Sequence, residues 1–121
     1  MTENTQYIKK LSENWARCGV NSGDLLLVHS NIKRTLVTAR LEGVQLTPDN
    51  ILDSFLDCLG SSGTLILPLF NFNFPTKKKF DIRNTSSQMG ALTEVARKRH
   101  GVVRTGHPIY SFAVLGKEKN M

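Results

Sequence analysis

Residues 23–31 have the sequence GDLLLVHSN, which gives the most direct indication of the fold class. The four apolar residues 25–28 form a run that is too short for a helix and typical of a strand covered on both faces. The polar residues 29–31 follow at the carboxyl end of that strand. Ligands of α/β sheets bind at this end of the strands. The stretch therefore predicts a buried strand and one side of a binding site.

The segments on either side of this strand complete an α/β pattern. Apolar residues recur at three- and four-residue spacing from residue 5 to residue 18, which predicts an amphipathic helix. Thr47 is the expected N-cap of a second helix that starts with proline and has an apolar stripe over residues 48–59. Residues 64–67 predict a second buried strand. The order strand, helix, strand indicates a parallel βαβ unit.

The remaining segments add a third helix and a third strand. Residues 90–98 have a helical pattern, and residues 111–115 have the pattern of a strand. Residues 71–87 are polar, basic and rich in turn formers, which predicts a long loop of the kind that often carries function. Residues 32–45 show no clear periodicity, so their conformation stays open. The fold class predicted from these elements is α/β.

Composition favours one globular domain. The chain has 121 residues, of which 40% are apolar, and this excludes disordered, collagen-like and coiled-coil proteins. The polar N-terminus has no apolar signal segment, and Pro68 interrupts the longest apolar stretch, so we expect no membrane span. Cys18 and Cys58 lie within apolar patterns, which predicts two buried thiols in a reducing cytoplasm.

The positive charge is concentrated in one segment. Residues 77–104 contain eight basic and two acidic residues, and they therefore account for the whole formal net charge of +6. The rest of the chain is neutral. A charge placed in this way indicates an anionic partner, such as a phosphorylated small molecule or a nucleic acid.

Two segments contain residues suited to binding an anion. Residues 28–31, at the end of the first strand, offer backbone N–H groups and short polar side chains; the alternative is a turn in which His29 is a hydrogen-bonded core histidine. Residues 104–111 combine a guanidinium, hydroxyls and an imidazole, and Arg104 could hold a phosphate through two hydrogen bonds. The alternative there is a surface loop. The three histidines are far apart in the sequence, and we expect no metal site.

A third segment has two interpretations. Phe70, Phe72 and Phe74 alternate with asparagines and precede Lys77 to Lys79. Interleaved aromatic and basic residues can stack bases and follow a nucleic-acid backbone. The favoured alternative is a strand end that buries the three phenylalanines and leaves the lysines in a solvated loop.

Five motifs occur in order along nearly the whole chain. They are GDLLLVHS at 23–30, ILDSFLDCLG at 51–60, GTLILP at 63–68, MGALTE at 89–94 and GVVRTGHP at 101–108. Together they resemble the aminoglycoside 3-N-acetyltransferases, also called antibiotic N-acetyltransferases.

The resemblance implies an α/β fold with a layered sheet and flanking helices, distinct from the GNAT acetyltransferases. It also implies transfer of an acetyl group from acetyl-CoA to the 3-amino group of an aminoglycoside or to a related amino sugar. Two loops line the CoA site in that family. Their counterparts by position are His29, Ser30, Asn31, Ile32 and Lys33 in the first loop and Arg104, Thr105, His107 and Ser111 in the second. The phosphates of CoA would be the anionic partner of residues 77–104.

The resemblance covers only part of the family's length. Family members are more than twice as long, and their Gly-x-x-His-x-x-Asn-Thr catalytic segment has no match here. Residues 1–121 are therefore predicted to form the N-terminal, CoA-binding part of the enzyme, with no catalytic residue assigned and little or no turnover alone. Two other interpretations stay open: a small basic module that binds single-stranded nucleic acid, and a truncated product without function.

Overall fold

A computed structural model of the chain describes residues 2–29 and 31–120. Five helices and four strands occur in these ranges. In chain order they are α1 (Glu3–Arg17), β1 (Leu25–Leu27), α2 (Lys33–Leu41), α3 (Pro48–Leu59), β2 (Thr64–Pro68), α4 (Phe74–Lys77), α5 (Ala91–Lys98), β3 (Val103–Arg104) and β4 (Phe112–Gly116).

The four strands form one mixed sheet in the order β1-β2-β4-β3. β1 and β2 are parallel, which confirms the predicted βαβ unit, with α2 and α3 in the connection. β4 is antiparallel to both of its neighbours. The predicted third strand is confirmed as β4, shifted by one residue. β3 was missed because two residues are too few to show a periodic pattern.

The helices form layers on one side of the sheet. α3 begins with the predicted cap: the Thr47 hydroxyl accepts from the Asn50 N–H at 3.2 Å, and the Asn50 side chain accepts from the Thr47 N–H at 3.0 Å. α3 packs on β2, and α1 packs on α3. The Trp15 ring stacks on Phe55 with 4.6 Å between centroids, while its Nε1 donates to Ser54 Oγ at 2.9 Å.

The core lies between the sheet and these helices. Leu65 and Leu67 of β2 and Ala113 of β4 are fully buried there. Leu25 and Leu27 of β1 are instead 58% and 60% exposed. The prediction that residues 25–28 are covered on both faces is therefore wrong for this chain, because β1 is an edge strand and the described helices cover only one face.

Three other expectations are settled by tertiary packing. Residues 33–41, within the segment left open, form α2, whose fully buried residue is Ala39 and whose apolar signal is accordingly weak. Residues 71–87 form the predicted loop around the short helix α4. Phe72 is 49% exposed, so the alternating burial of the three phenylalanines is wrong, since α4 breaks the extended conformation that alternation needs.

The two thiols are also less buried than predicted. Cys18 caps the C-terminus of α1 and is exposed, whereas Cys58 is half-buried on α3. Burial raises the pKa of the Cys58 thiol, and the charge of Asp57 raises it further. In residues 2–29 and 31–120, every helix is too short or too polar to cross a membrane.

Candidate functional site

Three loops lie at the same end of the sheet: the loop after β1, the loop after β2 and the loop 105–111. The strand register pairs Pro68 with Phe112 and Arg104 with Ala113. The loop 105–111 therefore lies at the end of the sheet where the parallel strands β1 and β2 have their carboxyl ends. In the strand order, β4 is two strand spacings from β1 and β3 is three. The loop 105–111 joins β3 to β4, so it lies about 10 to 14 Å from the end of β1.

The loop after β1 leads directly into α2. Ile32 is buried in the core and holds the start of the helix, while His29, Asn31 and Lys33 are exposed. Asn31 Oδ1 accepts from the Lys33 N–H at 3.0 Å, which shapes the turn into α2. Ser30, a predicted site residue, lies outside the described residues. Polar and basic side chains at this loop are thus presented to solvent, and the alternative of a core His29 is wrong.

A cavity of about 430 Å³ lies between α2 and the start of α5. Its basic side chains are Lys33 and Arg40, both exposed and both on α2. At its other side, α5 begins after Gly90 without a side-chain cap, so the first N–H groups of that helix have no side-chain partner. Uncapped N–H groups and the helix dipole favour anions. The cavity combines these features in one place.

Arg40 and residues 88–91 were not among the predicted site residues. A signal for residues 89–91 was present in the sequence, because they belong to the fourth motif that resembles the family. A glycine before a helical pattern lacks the side chain that normally caps the first N–H groups. Arg40 had no local signal, since it belongs to the site only because α2 lies across the cavity from the start of α5.

The start of α5 is held in place by hydrogen bonds. Glu94 accepts from the Ser87 N–H at 2.7 Å and from Arg97 Nε at 2.8 Å. Burial raises the pKa of Glu94, but these hydrogen bonds outweigh it and the net pKa lies below the usual range. The Ser87 hydroxyl accepts from the Met89 N–H at 3.0 Å. The wall of the cavity is thereby fixed relative to the helix.

Asn71, in the loop after β2, bonds to two other segments. Its buried side chain donates to the Ser86 carbonyl at 2.8 Å, and its backbone N–H donates to the Ile109 carbonyl at 3.0 Å. Gln88 Oε1 accepts from the Phe72 N–H at 2.9 Å in the same region. The loop after β2 therefore joins the segment before α5 to the loop 105–111.

Arg104 and Ser111 lie inside the protein. Arg104 is only 9% exposed, and its Nε donates to Ser111 Oγ at 2.9 Å. Its other nitrogens donate to the carbonyls of Thr85 and, at 3.4 Å, Leu69, and the guanidinium lies 5.0 Å from the Phe80 ring centroid. Burial, with the nearby charge of Arg97, lowers the pKa of Arg104. The Arg104 guanidinium, which the sequence predicted to bind a phosphate, instead donates its hydrogen bonds to Ser111 and to two backbone carbonyls of this chain.

Thr105 and His107 are exposed on the loop between β3 and β4. Thr105 Oγ1 accepts from the Phe112 N–H at 2.8 Å. His107 Nδ1 accepts from the Tyr110 N–H at 2.9 Å and from the Ile109 N–H at 3.1 Å. Because Nδ1 is an acceptor, the proton of a neutral imidazole resides on Nε2, which is left for a ligand.

Charge in the segment 77–104 is partly neutralised inside the fold. Arg97 pairs with Glu94, and Arg99 pairs with Asp49 at 2.8 Å and with Asp53 at 2.7 Å. Arg104 is buried, as described above. The cationic groups at the cavity come instead from α2, in the part of the chain whose charges cancel in the sequence count.

The aromatic and basic segment does not form a stacking platform. Phe70 packs edge-on against Tyr110 and Phe112, with centroids 5.1 and 5.3 Å apart, and Phe74 is half-buried at the start of α4. Of the three phenylalanines, Phe72 has the exposed ring. The half-exposed ring of Tyr110 lies next to Phe72, with centroids 6.0 Å apart and planes at 76°, so the two rings do not present one flat surface for stacking bases. Across residues 2–29 and 31–120, no cluster of His, Cys, Asp or Glu could hold a metal ion.

A family model for aminoglycoside 3-N-acetyltransferases matches residues 27–121. The fold is similar to that of solved acetyltransferases. AAC(3)-Xa matches at 25% identity and a TM-score of 0.72 over 93% of this chain. A mutant of AAC(3)-IVa in complex with apramycin matches at 26% identity and a TM-score of 0.76 over 91%.

A third similar structure is the binary structure of AAC-IIIb with CoASH. It matches at 23% identity and a TM-score of 0.77 over 93% of this chain. The match covers 46% of the AAC-IIIb chain, 44% of AAC(3)-Xa and 43% of AAC(3)-IVa. The chain thus spans somewhat less than half the length of these three solved structures.

Proposed function

Because the chain belongs to the aminoglycoside 3-N-acetyltransferase family, we propose that residues 1–121 form the N-terminal, acetyl-CoA-binding part of such an enzyme. The reaction is transfer of the acetyl group of acetyl-CoA to an amino group, at the 3-amino position of an aminoglycoside or on a related amino sugar. The bound CoASH of AAC-IIIb and the bound apramycin of AAC(3)-IVa support these two ligand classes.

The cavity between α2 and α5 carries the proposal. Lys33 and Arg40 bring two positive charges to a space of about 430 Å³, where the uncapped start of α5 adds N–H donors. Phosphate oxygens accept hydrogen bonds from cations and from helix N-termini. CoA carries a diphosphate and a 3′-phosphate, so its charge matches this set of donors.

The remaining predicted site residues have different roles in this proposal. Exposed His29 and Asn31 line the approach to the cavity, and buried Ile32 holds α2 in position. Thr105 and His107, on the loop 105–111, contact a more distant portion of the extended cofactor.

Arg104 and Ser111 act indirectly on the cofactor site. Their side chains hydrogen-bond to each other and to the loop after β2, and so position the exposed residues of the loop 105–111. Their cofactor-binding role is thus proposed as positioning rather than as direct contact with phosphate.

Acetyl transfer places two demands on the enzyme. The attacking amine must be neutral, which needs a nearby base, and the developing oxyanion of the thioester needs hydrogen-bond donors. No residue of this chain matches the family's catalytic histidine segment. We therefore assign the base, and the acidic groups that a cationic acceptor needs, to the part of the family enzyme that these residues do not span. We place the reaction in the cytoplasm, in keeping with the two free thiols.

Titration calorimetry on the full 121-residue chain tests the cofactor site. We expect CoA to bind, and Lys33→Ala and Arg40→Ala each to raise the Kd at least tenfold, about 1.4 kcal/mol. Lys9→Ala on α1 is the matched control, since Lys9 is an exposed cation away from the cavity. Equal Kd values for all four proteins, or no heat of binding for the wild type, would contradict the proposed site.

A further inference from the structure

Two exposed aromatic rings form a corner at the carboxyl end of the sheet. Phe72 is 49% exposed and Tyr110 is 51% exposed, and their ring planes meet at 76°. The Phe72 N–H donates to Gln88 Oε1 at 2.9 Å. The Tyr110 N–H donates to His107 Nδ1 at 2.9 Å, and the Tyr110 ring packs edge-on against Phe70. These contacts fix the angle between the two rings without a ligand.

Rings at this angle suit a saturated sugar better than a flat base. One ring can pack on the apolar C–H face of a sugar while the other closes the edge of the same sugar. Small-molecule sites combine such apolar contact with a few polar groups that fix orientation. The aromatic corner therefore fits the sugar of an acceptor.

The corner adjoins the cavity proposed for the cofactor. Gln88 lines that cavity, and its side chain accepts from the Phe72 N–H. On the other side, the Tyr110 ring centroid lies 5.4 Å from that of His107, on the loop 105–111. An amine attacks a thioester only when the two are held side by side. A sugar at the corner meets this requirement.

The segment 77–83 adds positive charge that the fold does not neutralise. It contains four basic residues and one acidic residue, so its net charge is +3. In the part of the chain that the structure describes, none of its basic side chains forms an ion pair. Asp81, its acidic residue, accepts hydrogen bonds from the Arg83 N–H and from Asn84 in its own turn. The exposed side chains of Lys77 to Lys79 are therefore available to an anion.

Both ends of the lysine run are anchored near the corner. α4 starts two residues after Phe72 and rises only about 6 Å over its four residues. Beyond the lysines, the Phe80 ring centroid lies 5.0 Å from Arg104 Cζ. Arg104 in turn donates to Ser111, the neighbour of Tyr110. The lysines lie between these two anchors and are thus held beside both rings.

We propose that Phe72 and Tyr110, with Lys77 to Lys79, form the acceptor subsite, and that the acceptor is an amino sugar carrying a phosphate ester. The inference rests on the proposed function and narrows its acceptor class. A polycationic aminoglycoside would meet like charge here. A sugar phosphate instead places its anion on the lysines and its ring on the corner.

The phosphate takes no part in the bond changes. The amine nitrogen bonds to the acetyl carbonyl carbon, and the C–S bond of acetyl-CoA breaks. The proton lost by the amine is balanced by the proton that the CoA sulfur gains. The products are CoA with a free thiol and the N-acetylated sugar, with its phosphate ester intact.

NMR titration of the isotope-labelled 121-residue chain with glucosamine 1-phosphate tests the subsite in the absence of CoA. Glucosamine, inorganic phosphate and apramycin are titrated in parallel. The backbone amide signals of Phe72 and Tyr110 report on the corner. We expect glucosamine 1-phosphate to shift these signals with a Kd at least tenfold below that of each of the other three compounds. UDP-glucosamine distinguishes a nucleotide-linked acceptor, which would bind more tightly than the monophosphate, from a free sugar phosphate.

A variant of the corner tests the contribution of the ring. Phe72→Ala should raise the Kd for glucosamine 1-phosphate at least fivefold, because the sugar loses its apolar contact. Leu41→Ala is the matched control, since Leu41 is an exposed apolar residue on α2, and it should bind like the wild type. A dispersed amide spectrum shows that each variant is folded.

A double variant tests the contribution of charge. Lys77→Ala combined with Lys79→Ala should raise the Kd at least tenfold. Lys9→Ala combined with Lys98→Ala is the matched control, since it removes two exposed cations from α1 and α5. Equal Kd values for the two double variants would overturn the role of the lysines.

Three results would overturn the proposal as a whole. Apramycin could bind as tightly as glucosamine 1-phosphate, inorganic phosphate could bind equally well, or none of the compounds could shift the two signals. Any of these, together with CoA binding in the calorimetric test, removes the acceptor subsite and leaves the cofactor site in place. Failure of CoA to bind removes the cofactor site, so the two failures are distinguishable.

Discussion

Arg104 Nε donates a hydrogen bond to Ser111 Oγ across 2.9 Å, inside the hairpin that joins β3 to β4. Both side chains are buried, and both reach the Leu69 carbonyl, at 3.4 Å from Arg104 and 3.3 Å from Ser111. This hydrogen-bonded pair joins the two ends of the hairpin loop on the interior side. It couples the loop after β2 to the loop that carries Thr105 and His107.

Removal of the guanidinium should destabilise the fold. Arg104→Ala leaves the Ser111 hydroxyl and two carbonyls without their charged donor, and we expect a loss of about 2–4 kcal/mol in the free energy of unfolding. Urea denaturation followed by circular dichroism measures it. Lys79→Ala removes an exposed cation and should change stability by less than about 0.5 kcal/mol.

The same variant separates the two possible roles of Arg104 toward CoA. If Arg104 only positions the hairpin, Arg104→Ala weakens CoA and dephospho-CoA by the same factor when both are titrated below the melting temperature. A larger loss for CoA than for dephospho-CoA would identify Arg104 as a direct ligand of the 3′-phosphate. Unchanged binding of both would remove residues 104–111 from the cofactor site.

The isolated chain should show little or no turnover. Its three histidines are not part of the family's catalytic segment, so a base for the attacking amine is not provided by these residues. Acetyl-CoA and an aminoglycoside are incubated with the chain, and released thiol is followed with a chromogenic disulfide. Thiol release at an ordinary enzymatic rate that depends on the acceptor would show that this chain contains the base.

Stability should decrease in acid through Glu94. Burial raises the pKa of Glu94, but hydrogen bonds from Arg97 and from the Ser87 N–H depress it below its usual value of 4.5. A depressed pKa adds stability above about pH 4.5, and that stability is lost as the pH falls through the folded-state pKa. Glu94→Gln should therefore lose about 1–3 kcal/mol at pH 7 and show a flatter decline below pH 4.5.

Denaturation midpoints measured from pH 7 to pH 3 check this expectation. Glu13→Gln is the matched control, because Glu13 is exposed on α1, and it should keep the acid dependence of the wild type. An acid decline of Glu94→Gln as steep as that of the wild type would show that Glu94 is not the group responsible.

Gly116 should be intolerant of any side chain. Its φ of +112° is in the region that favours glycine, and a Cβ would overlap the Gly63 carbonyl oxygen across the β2–β4 pair. We expect Gly116→Ala to cost at least about 3 kcal/mol. Gly43→Ala has a similar φ of +84° in open space, so it should cost about 1–2 kcal/mol. Equal losses in thermal unfolding would mean that the overlap is relieved by a backbone shift.

Local patterns in the sequence predicted much of the fold. The stripe of α3 and the Thr47 cap are interactions between residues three or four positions apart, so they can be read without tertiary information. The parallel pairing of β1 with β2 follows from the intervening helices. The five ordered motifs identified the family, and their glycine at position 90 coincides with the uncapped start of α5.

Long-range packing determined the electrostatics of the site. Arg99 is neutralised by Asp49 and Asp53, which lie 50 and 46 positions earlier in the chain. A count of charges along the sequence cannot identify such partners, so the formal charge of residues 77–104 did not show which cations are free at the cavity. The cavity instead takes its cations from Lys33 and Arg40, which the packing of α2 places opposite α5.

Local signals were enough to predict the family and the elements α1, α3, α5, β1, β2 and β4, because motifs, hydrophobic periodicity and capping are all properties of nearby residues. The interior position of Arg104 and the exposure of Leu27 follow from tertiary packing. Burial depends on which elements cover a residue, and those elements come from distant parts of the chain. The apolar run at residues 25–28 is typical of a strand buried on both faces. The structure shows that Leu25 and Leu27 are on the face of β1 that is exposed.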